Sequence, residues 1–523
     1  MPRAGGLSRV SRSYPGLVGY IISSSLSHIV KPLRIRARRR LLPSQISTPD
    51  LRPARVDIAT LLASVAKVMN TLFEQFAQAH ALRNGYKLAQ TLSPVPPPDD
   101  PQRLMAVWRS TNSHSVKGDI KHFIKSNTSH RQKLDHDEVT GWVDVYQAYW
   151  KAIGEILAGE SGKSTWTKVY EAWKELTSVL IRGYNSHGFE AWTIPSLYMV
   201  GKYLRLFAIK SDEERQTQSL SGAPGASLMD DDFDPQTEGQ LQLRDCEGHL
   251  KRIFSLCLND RAPLEESRKW GIYFVINLLF KTYFKLNSAS LSRTIIKTLS
   301  VYNDKGDMPA LEMFPKSQRV TFKFYEGVLR FLEEDYLAAE SHLNEAWNLC
   351  HKDAITQSER ILTYLIPCRL ITSHVLPTKT LLENYPRLQE LFLPLARCIK
   401  SGNLKEFDEA LKSGEDEFVK RRIYLTLERG RDIALRNLLR KVFIAGGYDE
   451  PKEGDTAPVR RTRIPVTEFQ AAISMSSGQM IEGDEVECLL ANMIYKELMK
   501  GYIARERGIV VLSKKGAFPG TGV

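Results

Sequence analysis

The stretch that decides the fold lies near the end of the chain. It is Asp484-Glu-Val-Glu-Cys-Leu-Leu-Ala-Asn-Met-Ile-Tyr495 and, after four intervening residues, Lys500-Gly-Tyr-Ile-Ala-Arg-Glu-Arg-Gly-Ile-Val-Val-Leu512. In the first part Val486, Leu489, Leu490, Met493, Ile494 and Leu498 recur at three- and four-residue spacing, one face of a helix. Asp484 and Glu487 have capping-box spacing at its start, and Gly501 is expected to end it. The period then falls to two. Tyr502–Arg505, a Glu506-Arg507-Gly508 turn and the β-branched run Ile509–Leu512 read as a β-hairpin. Thr467-Glu-Phe-Gln470 repeats the capping-box spacing and predicts a helix before this one. Two helices and a hairpin make a winged helix, expected over residues 446–515.

Upstream of it the periodicity is helical throughout. Residues 317–350 read as a helix–turn–helix unit. Val320, Phe324, Val328 and Phe331 form one stripe, a turn follows at Glu333–Asp335, and Ala339, Leu343 and Ala346 lie on the second helix. Gly327, Tyr336, Ala339 and Ala346 fall where a tetratricopeptide-type repeat places its small and aromatic packing residues. A similar turn is read at Gly402-Asn-Leu-Lys-Glu-Phe-Asp-Glu-Ala-Leu411. The fold class is therefore mainly α, a TPR-like helical solenoid over 241–445 running into a winged helix.

An N-terminal helical region is expected over 51–210, with a break at the proline-rich 93–101 and an aromatic cluster at Trp142, Tyr146, Tyr149 and Trp150. Residues 211–250 hold ten acids and two bases, and 211–240 read as a flexible acidic loop.

Charge must be located before it carries meaning. The 523 residues have a net charge of +12, with 42% hydrophobic and 25% charged residues, an ordinary globular composition. Residues 1–55 carry eleven Arg and Lys against Asp50 alone, so the other 468 residues share +2. The basic, Ser-rich stretch 1–50 resembles a mitochondrial presequence, a nuclear-import or nucleic-acid-binding tail, or a disordered extension from a misplaced start codon. Six scattered cysteines without a C-x-x-C pair fit a reduced intracellular protein and exclude a disulfide framework. The most apolar run, Tyr273–Phe284, is too short to span a bilayer, and no membrane association is expected.

No catalytic reading survives inspection. Residues 158–165, Ala-Gly-Glu-Ser-Gly-Lys-Ser-Thr, imitate a phosphate-binding loop, but Leu157 stands where its first glycine belongs and the preceding residues have helical spacing. A Gly/Ser loop between helices is expected instead. His80, His114, His122, His130 and His136 have no metal-ligand spacing, and there is no nucleophile elbow. The chain is expected to be no enzyme and to need no cofactor or metal.

The strongest charge signal is at 419–441, with eight basic residues against two acids. As one continuous helix, this segment puts Ile423, Leu427, Ala434 and Leu438 within about 60° of arc. Arg422, Arg429, Arg436 and Arg440 then lie within about 40° on nearly the opposite side, a guanidinium ridge. Lys441 follows it. The winged helix adds Lys496, Lys500, Arg505, Arg507, Lys514 and Lys515, diluted by seven acids between Glu468 and Glu506. These eleven basic residues are the candidate nucleic-acid-binding set. They suit non-specific, salt-sensitive phosphate contact. A solvated, salt-bridged surface is the alternative.

Several segments resemble the PCI-domain-containing protein 2 family, whose fungal members are often labelled signalosome subunit 12 homologues. The matching segments are Asn437-Leu-Leu-Arg-Lys-Val-Phe443, Asp484–Tyr495, Lys500-Gly-Tyr-Ile503 and Val511-Leu-Ser-Lys-Lys-Gly-Ala-Phe-Pro519. The resemblance is specific over about 310–519 and implies a PCI domain whose helical part begins near 314. It further implies a non-enzymatic subunit of a nuclear transcription-coupled mRNA-export complex of the TREX type. Its partners would be a Sac/GANP-type helical scaffold, a small acidic DSS/Sem-type protein, and RNA or DNA. The implied location is the nucleus, with the cytoplasm also compatible. The second reading is a COP9-signalosome-associated adaptor acting only through protein–protein contacts.

Overall fold

Side chains that pack on one another across sequence-adjacent helices build this molecule from Met69 onward. The computed structural model describes residues 58–128, 134–221, 239–449 and 460–523. The basic stretch 1–50 lies outside the described residues.

The first half is a set of antiparallel helices. Trp142, Tyr146 and Tyr149 of the His136–Glu160 helix are buried, and Trp142 stacks on Phe189 at 4.1 Å. The Trp166–Ser186 helix returns alongside, started by Thr165, whose hydroxyl accepts from the Lys168 N–H. Between these helices lies the imitation phosphate loop. It is a helix–helix turn in which Ser164 Oγ donates to Glu155 at 2.7 Å.

The next helix, Pro195–Ser221, corrects the expected acidic loop: its first eleven residues, from 211 on, are helical. The reason is tertiary. Asp212 is buried and accepts the N–H groups of Gln242 and Leu243, each at 3.0 Å, at the start of the Leu241–Leu258 helix. A carboxylate at that helix's orphaned donors favours helix on both sides of the stretch. The remainder of the expected loop, 222–238, lies outside the described residues. Leu204 and Phe207 before it and Leu243 and Leu250 after it share one apolar core, so the core does not divide there.

That first core runs from Met69 to Phe322, and a second runs from Val328 to Phe518. Both borders fall within the Lys316–Leu332 helix. Its neighbour is Tyr336–Leu349, and together they form the expected helix–turn–helix unit. A Cβ on Gly327 would lie 2.7 Å from Cγ of Leu343, so hydrogen is the only side chain that admits this approach. Asp335 caps the second helix through the Ala338 N–H. The second expected turn is also present. Gly402, at φ +72°, closes Pro386–Ser401, and Asn403 caps Leu404–Ser413.

The chain ends in a winged helix with a third strand that sequence periodicity missed. Strands β1 (Arg463–Pro465), β2 (Gly501–Ala504) and β3 (Ile509–Leu512) form an antiparallel sheet in the order β1-β3-β2. Three residues are too few to show a period. Ile464, Val510 and Leu512 face inward, onto Phe469, Ile473, Val486 and Leu490 of the helices Val466–Ser477 and Gly483–Tyr495. A Cβ on Gly501 would lie 2.4 Å from the Val511 carbonyl oxygen. That residue begins β2 and does not end the helix, which stops at Tyr495 before Glu497 turns at φ +57°.

Neither capping box forms. The first helix starts at Val466, and the Gln470 amide donates instead to the Ile481 carbonyl at 2.8 Å. Asp484 and Glu487 instead face Arg505 of the hairpin turn. The module also extends past residue 515: Phe518 is buried and its ring lies 5.8 Å from that of Phe443.

Candidate nucleic-acid interface

The expected continuous basic helix is three helices, Glu415–Lys420, Tyr424–Glu428 and Gly430–Ala445. Arg422, at φ +58°, lies in the first break. Ile423, Leu427 and Ala434 are buried as expected, but the guanidinium ridge does not exist as a surface.

Each arginine of the ridge has a local partner. Arg422 donates to the Asn287 side chain at 3.3 Å. Arg429 pairs with Glu334 at 2.7 Å and lies over the Tyr336 ring; the Glu334 hydrogen bond raises its pKa further. Arg436 is only 6% exposed. It donates to Nδ1 of His374 at 2.9 Å and to Asn437 at 3.2 Å. Burial, then Arg440, lowers its pKa. Arg440 is half-buried and donates to the Thr521 carbonyl at 3.4 Å. Lys441 donates to the Ser401 carbonyl at 2.7 Å. These side chains tie the solenoid to itself and to the C-terminal tail.

The winged-helix cations divide into two groups. Lys496 pairs with Asp432 at 2.6 Å, and Arg505 with Asp484 at 3.2 Å and Glu487 at 3.3 Å. Lys500, Arg507, Lys514 and Lys515 are exposed and, among the described residues, have no acidic partner. Strand register brings three of them together. Gly501 pairs with Leu512, and the Ser513 N–H donates to the Lys500 carbonyl at 2.9 Å. Lys500, Lys514 and Lys515 therefore meet at the open end of the hairpin, while Arg507 lies at its tip.

The outer face of the sheet adds what charge counting could not reveal. Tyr502 is opposite Val511, and Val511 is opposite Arg463, so the three form one row across the sheet. Tyr502 is 63% exposed, and Tyr495, at the end of the second helix, is 86% exposed. An exposed aromatic ring beside unpaired cations can stack on a base while the cations meet phosphates. The exposed side of the second helix instead carries Asp484, Glu485, Cys488 and Asn492, which is unsuited to lie along phosphates. The usable surface is therefore the wing. Arg463 belongs to it, and its only sequence signal was an Arg within the β-compatible run at 463–465.

A helical repeat ending in a winged helix of this build is the architecture of a PCI-type scaffold chain. Residues 410–514 match the family model described as PCI domain, beginning inside the Leu404–Ser413 helix. The chain is 86% identical over 455 residues to the Protein CSN12 homolog of Gibberella zeae, covering 87% of this chain and 100% of that protein. To the Protein CSN12 homolog of Neurospora crassa it is 65% identical over 457 residues, again 87% and 100%. To PCI domain-containing protein 2 of Danio rerio it is 31% identical over 353 residues, 67% of this chain and 79% of that one. The chain belongs to the family of CSN12 homologs and PCI domain-containing protein 2.

Proposed function

We propose that this chain is a non-enzymatic scaffold subunit of a nuclear, transcription-coupled mRNA-export complex of the TREX type. In this reading it is held by a Sac/GANP-type helical scaffold together with a small acidic DSS/Sem-type protein. It contacts RNA or DNA through its wing, without reading sequence. The observation that carries the proposal is the cluster of unpaired Lys500, Lys514 and Lys515 beside exposed Tyr502 and Arg463. Cations without internal partners remain available to phosphate, and their contacts release counterions.

The test uses the full chain bound to its scaffold partner and a single-stranded RNA. The triple variant Lys500→Glu, Lys514→Glu, Lys515→Glu is expected to weaken binding and to flatten the logarithmic salt slope by about 2–3. An unchanged slope sinks the role assigned to the wing.

A second reading, a COP9-signalosome-associated adaptor that binds no nucleic acid, draws support from Met475 and Met480. They are 85% and 93% exposed on the same module and suit an apolar protein contact. Affinity purification with mass spectrometry separates the two by recovering either an export scaffold or signalosome subunits.

A further inference from the structure

The N-terminal half carries a site of opposite charge to the wing. A cavity of about 580 Å³ opens between the 187–194 segment, the 259–271 segment and Arg83, just past the Ile58–Ala81 helix. Four carboxylates, of Glu190, Asp260, Glu265 and Glu266, line it against the two guanidiniums of Arg83 and Arg268, a formal charge of −2. Both guanidiniums are matched. Arg83 pairs with Glu190 at 3.2 Å and Arg268 with Asp260 at 2.9 Å. The excess therefore resides on Glu265 and Glu266. Both are exposed, and among the described residues their carboxylates have no ion-pair or hydrogen-bond partner.

This pair is held in place. Asp260 is buried and accepts from Ser267 Oγ at 3.0 Å and from the Arg268 N–H at 2.7 Å. The Trp270 indole N–H donates to the Leu264 carbonyl at 2.7 Å. The Leu264–Glu266 turn is thus fastened to the residues that follow it. Trp192 and Trp270 also line the cavity, each half-buried. His80 meets Trp192 edge-on at 5.1 Å, and Phe314 lies tilted against Trp270 at 5.5 Å, packing that keeps both indoles in position.

We infer that this cavity binds an arginine side chain of a basic polypeptide, its guanidinium paired with Glu265 and Glu266 and resting against the Trp192 and Trp270 indoles. Unpaired carboxylates beside indole rings select this chemistry. A guanidinium is a planar fork that pairs with carboxylates and stacks on aromatic faces, whereas an ammonium is a compact, strongly hydrated charge. The same carboxylates repel phosphates, so the cavity disfavours nucleic acid. The Trp192 indole N–H, without an acceptor among the described residues, can donate to a main-chain carbonyl of the same segment. The site does not depend on the wing's reading as a nucleic-acid surface.

The experiment is fluorescence anisotropy of the full chain with a labelled twelve-residue Gly/Ser peptide bearing three arginines. The double variant Glu265→Gln, Glu266→Gln is expected to weaken binding by about five-fold or more, through the loss of two charge pairs. Its melting temperature is expected to stay unchanged, because both side chains are exposed and unpartnered. Exchanging the peptide's arginines for lysines, at the same charge, is expected to cost a similar factor. Lys514→Glu with Lys515→Glu is expected to leave peptide binding intact.

No measurable binding by the full chain, equal affinity of the double variant, or equal affinity of the lysine peptide overturns the proposal. Full displacement by an equal concentration of spermidine does so as well, in favour of a site for any polycation. So does a labelled fifteen-nucleotide oligothymidylate that loses affinity in the same double variant, in favour of nucleic acid.

Discussion

Nη1 of Arg436 lies 2.9 Å from Nδ1 of His374, which ties the Gly430–Ala445 helix to a residue 62 positions earlier, itself at φ +54°. A guanidinium can only donate, so His374 accepts and its Nδ1 is unprotonated. Burial, then the Arg436 charge, lowers the His374 pKa below its ordinary 6.5.

The sign of the pH effect follows. Below about pH 6.5 the unfolded chain protonates this histidine while the folded chain resists. Stability is thus full above that pH and declines as pH falls toward the depressed native value. Melting temperatures at pH 7.5 and 5.5 are expected to differ more for the native chain than for His374→Gln. An equal drop in both rejects the assignment.

Arg436→Glu, an obvious variant if the helix were a phosphate-binding ridge, is expected to destabilise the fold. It replaces a buried donor by a charge facing lost partners, a change of about 3–5 kcal/mol. Chemical denaturation reads this directly, and any loss of nucleic-acid binding must be judged against it.

Gly327→Val is expected to cost about 1–3 kcal/mol by overpacking, because its Cβ would press on Leu343. Gly248→Ala, at an open position within the Leu241–Leu258 helix, is expected to be neutral or mildly stabilising. Comparing the two thermal midpoints separates close packing from glycine flexibility.

Arg505→Gln and Lys500→Gln remove the same formal charge from the wing. Arg505 is already matched by Asp484 and Glu487, whereas Lys500 is unmatched. Lys500→Gln is therefore expected to reduce the salt slope of RNA binding by about one and Arg505→Gln by less.

Among the six cysteines, Cys488 alone is exposed, and Cys246, Cys257, Cys368 and Cys398 are buried. Burial pushes the Cys257 and Cys368 thiols up to about 12. Native-state alkylation read by mass spectrometry is expected to label Cys488 first, since thiolate and access both control the rate.

Sequence alone determined the elements whose information is local. The hairpin at 502–512 was legible because a β-branched run follows a Gly turn. The Lys316–Leu349 pair was legible because apolar stripes repeat at helical spacing around Gly327. The segments resembling the PCI-domain-containing protein 2 family were legible for the same reason, being contiguous.

Tertiary structure decided which charges are available. Arg429 finds Glu334 at 95 residues' separation, Lys496 finds Asp432 at 64, and Asp212 reaches the Leu241–Leu258 helix at 30. A helical wheel assumes one unbroken helix and knows nothing of partners so distant. It therefore drew a ridge from arginines that the fold spends on its own joints. Strand β1 was hidden likewise, since three residues become a strand only when β3 pairs with them. Periodicity is written along the chain, but the neutralisation of a charge depends on what folding brings beside it.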